Sequence, residues 1–147
     1  MTLAITTITN SIAALTISGL TIRDIDEIPQ GLVGRDCPVL TPNPDNFVTG
    51  FSAVPDTLDK SKWTVSYTLN YLLLYAAIGS GRTTVMEKYS GMVSKAFAFI
   101  DAVAAAVTLT GSVDWSPGTI DGFDVMTIGE NSFHSCRVSI EIVELVN

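Results

Sequence analysis

The stretch Lys62–Arg82, KWTVSYTLNYLLLYAAIGSGR, constrains the fold of this chain more than any other. Trp63, Val65, Tyr67, Leu69, Tyr71 and Leu73 share one parity, and Thr64, Ser66, Thr68 and Asn70 share the other. Successive strand side chains point to opposite faces, so this alternation predicts one long strand with an apolar face and a hydroxyl-rich face. Beyond Tyr71 the alternation stops, because Leu72 and Leu74 are apolar as well. The far end of the strand is therefore expected to be covered on both faces. Gly79-Ser80-Gly81 ends it, since glycine supplies the backbone freedom that a reversal needs.

A second strand of the same kind closes the chain. Over Phe133–Val146, Cys136, Val138, Ile140 and Ile142 lie on one face and Arg137, Ser139 and Glu141 on the other. It is a natural antiparallel partner for the first. Between the two, Val85, Tyr89, Met92, Val93, Ala96, Ile100, Val103 and Val107 recur at spacings of three and four, which predicts a helix over about 84–109. Thr83 or Thr84 can cap its start, and Glu87 suits its positive end. Its second half, AFAFIDAVAAAV, is apolar nearly all round and reads as a well-buried core helix, with a subunit interface as the alternative. Shorter strands are expected at Val113–Trp115 and Asp124–Ile128, each followed by a turn. At the N-terminus, Leu3, Ile5, Ile8, Ile12 and Leu15 predict a short amphipathic helix over about 4–16, followed by a strand at Leu20–Asp24.

Residues 29–61 have a different character. Five of the six prolines fall there (Pro29, Pro38, Pro42, Pro44 and Pro55), with extended pieces expected at Cys37–Leu40 and Phe47–Val54 around a turn at Pro42–Asp45. Leu32, Val33, Val39, Leu40, Phe47, Val48, Phe51 and Val54 make the segment too apolar to face only water. It reads as an extended arm that packs on a neighbouring subunit. The order of elements gives a single α+β domain over residues 1–147. A mostly antiparallel sheet carries the short N-terminal helix and one long helix on one face, with the long proline-rich arm in addition.

Composition narrows the function. The net charge is −7, and the eight basic residues are dispersed, so no basic stripe exists to neutralise a nucleic-acid backbone. The chain is 47% hydrophobic and 16% charged, where about 25% charged is usual. The longest apolar runs, Tyr71–Ile78 and Ala96–Val107, are short for a membrane span, and the second contains Asp101. The excess apolar surface is therefore assigned to an oligomer or larger assembly. The start, MTLAITTITN, lacks the basic residues that open a secretory signal, and Cys37 and Cys136 read as reduced thiols.

No catalytic residue, metal site or cofactor site is expected. His134 and Cys136 form one close pair that Cys37 could join, but zinc ordinarily takes four ligands with paired spacings. Gly79-Ser80-Gly81-Arg82-Thr83-Thr84 lacks the length and the lysine of a phosphate-binding loop. The sole histidine removes most nucleophilic triads, and Asp24, Asp26 and Glu27 read as a solvated acidic edge. The chain reads as a structural protein and not as an enzyme.

The layout resembles a family from long-tailed bacteriophages. A short helix and a strand lead to an arm that begins Arg35-Asp36-Cys37-Pro38-Val39-Leu40-Thr41-Pro42. There follow Tyr67-Thr68-Leu69-Asn70-Tyr71, a Gly-Ser-Gly-Arg turn, a long helix, and the strand Ser135-Cys136-Arg137-Val138-Ser139-Ile140-Glu141. This is similar to the tail terminator, or tail-completion, proteins. The resemblance implies a virion subunit, assembled in the host cytoplasm, that forms a homohexameric ring. Such a ring caps the tail-tube protein below, stops tube growth, and presents a surface to the neck or head-closure protein above. DNA passes through its lumen without specific binding. On this reading Arg35, Asp36, Val39, Leu40, Phe47 and Phe51 are expected to contact neighbouring subunits, with Lys60, Lys62 and Arg82 in polar pairs. Another neck or head-closure connector would share this composition. A small-ligand-binding α+β domain with a pocket between helix and sheet is an alternative of a different class.

Overall fold

Two long strands run antiparallel through the middle of the molecule in the computed structural model, which describes residues 3–23, 37–78, 85–106, 113–115, 118–128 and 130–146. They are β4 (Trp63–Ala77) and β7 (Asn131–Val146), paired from Trp63 opposite Val146 to Ala77 opposite Phe133. The remaining strands are β1 (Thr21–Ile22), β2 (Val39–Pro42), β3 (Val48–Pro55), β5 (Val113–Trp115) and β6 (Thr119–Ile128). The outer side of β4 is lined by β3 along its first half and by β2 along its second. The outer side of β7 is lined by β6 along its first half and by β5 along its second. Among the described residues, only the short β1–β2 pairing is parallel. The fold is α+β, with a mostly antiparallel open sheet and two helices, α1 (Ile5–Ala13) and α2 (Val85–Ala106).

The apolar parities do what alternation requires. Val65, Tyr67, Leu69, Tyr71 and Leu73 of β4 join Cys136, Val138, Ile140 and Ile142 of β7 in one buried cluster with Ile8 and Ile12 of α1. Met92, Ala96, Phe99 and Val103 of α2 complete it, at steps of four, three and four that keep them on one helix face. Removing such side chains from water supplies about 1.5–3 kcal/mol each. Both helices thus lie against the same face of the sheet. The sequence stripe has Ile100 where the structure has Phe99: Phe99 is fully buried against Tyr71 at a ring separation of 5.7 Å, and Ile100 is only partly buried. Nor is α2 buried all round, since Phe97, Asp101, Ala104 and Ala105 are exposed. One glycine is needed for close approach: the Tyr75 hydroxyl packs where a Cβ on Gly91 would stand.

At the far end of β4, Leu72 and Leu74 turn to the opposite face and form a second buried cluster with Val39, Ile128 and Phe133. The run Tyr71–Leu74 is buried on both sides, as the failure of alternation implies. The near half keeps Thr64, Ser66, Thr68 and Asn70 on an uncovered face.

The arm reading needs correction over its described part. Residues 37–61 belong to the subunit's own sheet as β2, β3 and the connection to β4. An extended chain carries unpaired backbone donors and acceptors, and the outer side of β4 satisfies them. Residues 29–36 lie outside the described residues, as do the acidic group at 24–27 and the turn and cap positions at 79–84. The strand expected at Asp124–Ile128 begins earlier, at Thr119. A bulge between Asp121 and Phe123, with Gly122 at φ 69°, breaks the period-two pattern there. Among the described residues, no helix is long and apolar enough to cross a membrane.

Candidate interaction surfaces

The helices cover the central strands, β2 is buried beside them, and β3 and most of β6 are left bare. All eight residues of β3 are exposed, and Phe51 and Val54 each keep 57% of their surface. Phe51 stacks on Tyr67 with ring centres 6.2 Å apart, which places it on the helix side of the sheet. Val54 stands opposite Thr64 and faces the other way. Gly50, at φ 63°, sits in a bulge between Thr49 and Ser52. The connection to β4 is ordered by short polar turns: Asp56 accepts from the backbone of Leu58, and Asp59 accepts from the Ser61 backbone and hydroxyl. Leu58 is 97% exposed at this tip.

At the opposite edge, β6 presents a second apolar patch. Phe123 and Val125 are about half exposed and stand opposite Cys136 and His134, again on the helix side. Phe123 packs on Tyr89 of α2 at 5.0 Å, and Tyr89 meets His134 edge-on at 6.3 Å. Asp121 and Asp124 are exposed on the same strand, and Asp121 lies 3.7 Å from Arg137.

The uncovered face between these edges mixes hydroxyls with apolar groups. Val143 and Leu145 stand opposite Ser66 and Thr64. A shallow depression of about 230 Å³ is lined by Gly50, Ser66, Thr68, Glu141 and Val143. Asn70 ties this face together: its amide donates to Asn46 O at 3.0 Å and Thr49 Oγ1 at 2.8 Å, and its Oδ1 accepts from Ser139 at 3.0 Å.

One buried acid holds the helix side. Glu144 is 2% exposed, and its carboxylate accepts from the Ala4 backbone N–H at 3.0 Å and the Tyr67 hydroxyl at 2.7 Å. Helix α1 has no capping side chain of its own and no acid in its first turn, so β7 supplies the negative group its start favours. Burial, and then the Glu144 carboxylate, raise the Tyr67 pKa well above its ordinary value. Burial pushes the Cys136 thiol up to about 11.

The expected contact residues separate into three groups. Val39 and Leu40 are fully buried within the subunit, opposite Leu74 and Leu73, which corrects their assignment to a contact with a neighbour. Phe47 is partly buried and meets Tyr71 edge-on at 5.4 Å, whereas Phe51 is open. Lys60 and Lys62 are exposed at the hairpin tip, and Lys62 lies 3.7 Å from its own Asp59. Arg35, Asp36 and Arg82 lie outside the described residues. Sequence reasoning missed Phe123, Val125, Val143, Leu145 and Glu144. For Glu144 a signal existed, because an acid falls on the apolar parity of β7.

Cys37 packs on the second cluster and Cys136 in the first, on opposite faces of the sheet, so they and His134 do not converge on a metal. Among the described residues, no group of three or more His, Cys, Asp or Glu is placed to hold a metal ion. These features define an α+β domain with an open, mostly antiparallel sheet and exposed apolar side chains on β3 and β6. No protein-family model matches the chain, and no curated protein matches it.

Proposed function

We propose that this chain is the subunit of a ring that terminates the tail tube of a long-tailed bacteriophage. One observation carries the reading: a sheet whose outer strands β3 and β6 are both uncovered, at opposite edges, with large apolar side chains on each. Patches at opposite edges suit head-to-tail contacts, which close into a ring when the rotation between copies is right. The low charge content and the resemblance of the sequence layout to tail terminators support the same reading. In the ring, one face matches the last layer of tail-tube protein and the other meets the neck or head-closure protein. A closed ring leaves no edge for further copies, and tube growth stops where the upper face no longer matches the tube. The net charge of −7 per copy gives a lumen that repels DNA and lets it slide. The site is in the virion, at the junction of tail and neck.

Light scattering of the purified protein across a concentration series, with and without tail tubes, tests this. A hexamer, or a monomer that becomes a ring on tubes, supports it. A monomer that assembles under neither condition removes it.

A further inference from the structure

We propose that the joint between neighbouring copies is formed by the β3 edge of one copy and the β6 edge of the next; this rests on the ring reading above and names its contact. The first support is composition. Natural proteins guard exposed edge strands with charged residues, bulges or prolines. The strand VTGFSAVP of β3 carries a bulge and a terminal proline but no charged residue, and all eight of its positions are exposed in the subunit. An uncharged edge bearing Phe51 and Val54 has the composition of a strand that is covered in the assembly.

The second support is placement. Phe51 and the pair Phe123 and Val125 lie on the same, helix-bearing side of the sheet, so copies set side by side in one orientation bring them together on one face. Strand β3 is antiparallel to β4, β4 to β7, and β7 to β6, so β3 and β6 run antiparallel to each other. If Phe51 is level with Phe123, then Pro55 lies one ladder step beyond Thr119, because the bulge at Gly122 takes up a residue. The hairpin tip with Lys60 and Lys62 then lies at the end of β6 nearest Asp121, with Asp124 further along. Opposite charges thus meet at one end of the apolar contact, which fixes register and partner.

The third is shape. Both edges are kinked by a bulge with a left-handed glycine, Gly50 and Gly122. Bulges bend a strand and interrupt its ladder, so backbone pairing across the joint is short and the side chains carry the contact. The two edges also flank opposite halves of the central strands: β3 lies beside Trp63–Leu69 and β6 beside Asn131–Ser139. Each joint therefore shifts the next copy along the strand direction, and a closed ring has strands tilted to its axis, the linkage that closed barrels obey.

The test uses Phe51→Asp and Phe123→Asp in the full chain, with circular dichroism confirming that each folds. Each variant alone is expected to remain monomeric where the wild type assembles. Mixed in equal amounts, they keep one good joint between them and are expected to form a heterodimer and nothing larger. A zero-length amine–carboxylate crosslinker on mixed isotope-labelled and unlabelled wild type is expected to join Lys60 or Lys62 of one copy to Asp121 of another. A Phe123→Asp protein that assembles like wild type, or crosslinks that map elsewhere, overturns this joint and leaves the ring reading standing. A wild type that stays monomeric with and without tail tubes removes both.

Discussion

Strands β3 and β4 are consecutive in the chain, joined by one hairpin and paired from Val48 opposite Leu69 to Pro55 opposite Trp63, yet they live in different environments. Along β4, Val65, Tyr67, Leu69, Tyr71 and Leu73 are buried under two helices. Along β3 nothing is buried. Both strands carry aromatic and β-branched residues, so composition does not separate them. The width of the helical layer does. Helices α1 and α2 cover the central pair, and β3 lies beyond their reach. Apolar content in β4 therefore stabilises the subunit, and apolar content in β3 is left for a contact between molecules.

Phenylalanine substitutions should separate the two environments most clearly. Phe99→Ala, in the helix above β4, empties a fully buried site against Tyr71 and is expected to cost about 3–5 kcal/mol in denaturant unfolding of the monomer. Next in size is the polar anchor of the covered face. Glu144→Ala leaves the Ala4 N–H and the Tyr67 hydroxyl without their acceptor, at an expected cost of about 2–4 kcal/mol. Hydrogen exchange should show the loss first in the opening turn of α1, and Glu144→Gln, which keeps an acceptor oxygen, should lose less.

A pH titration probes the same face from inside. The Cys136 thiol is pushed from its ordinary 9.0 to about 11 by burial, so the unfolded chain gives up this proton before the folded one does. Stability is unaffected by this group below about pH 9 and is lost as pH rises from 9 through 11, at up to about 1.4 kcal/mol per pH unit. Tyr67, also raised, adds to the loss above pH 10. Cys136→Ala should flatten the fall between pH 9 and 10, measured by denaturant unfolding. The smallest effect is the mirror of the first: Phe51→Ala removes an exposed ring and its stack on Tyr67, and should cost the subunit at most about 1 kcal/mol. A larger loss would mean that β3 belongs to the core after all.

Much of the architecture was legible because local periodicity is a local property. Alternation marked β4 and β7, their equal apolar parities made them partners, and the doubled leucines of Tyr71–Leu74 marked the part covered on both sides. The edge of β6 was hidden by the bulge at Gly122, where one extra residue shifts the parity of everything before it. Val39 and Leu40 were misassigned for a different reason. An apolar extended segment looks the same whether it meets its own sheet or a neighbour's, and only the pairing with Leu74 and Leu73 decides.

What the sequence determined by itself was which residues alternate, where the long helix runs, and that the chain has more apolar surface than its charge would ordinarily accompany. Those follow from spacing and composition, which need no third dimension. The tertiary structure decided which apolar residues are consumed by the core and which remain open. Burial depends on what lies above each face of the sheet, and the two helices cover the central strands and leave β3 and most of β6 open.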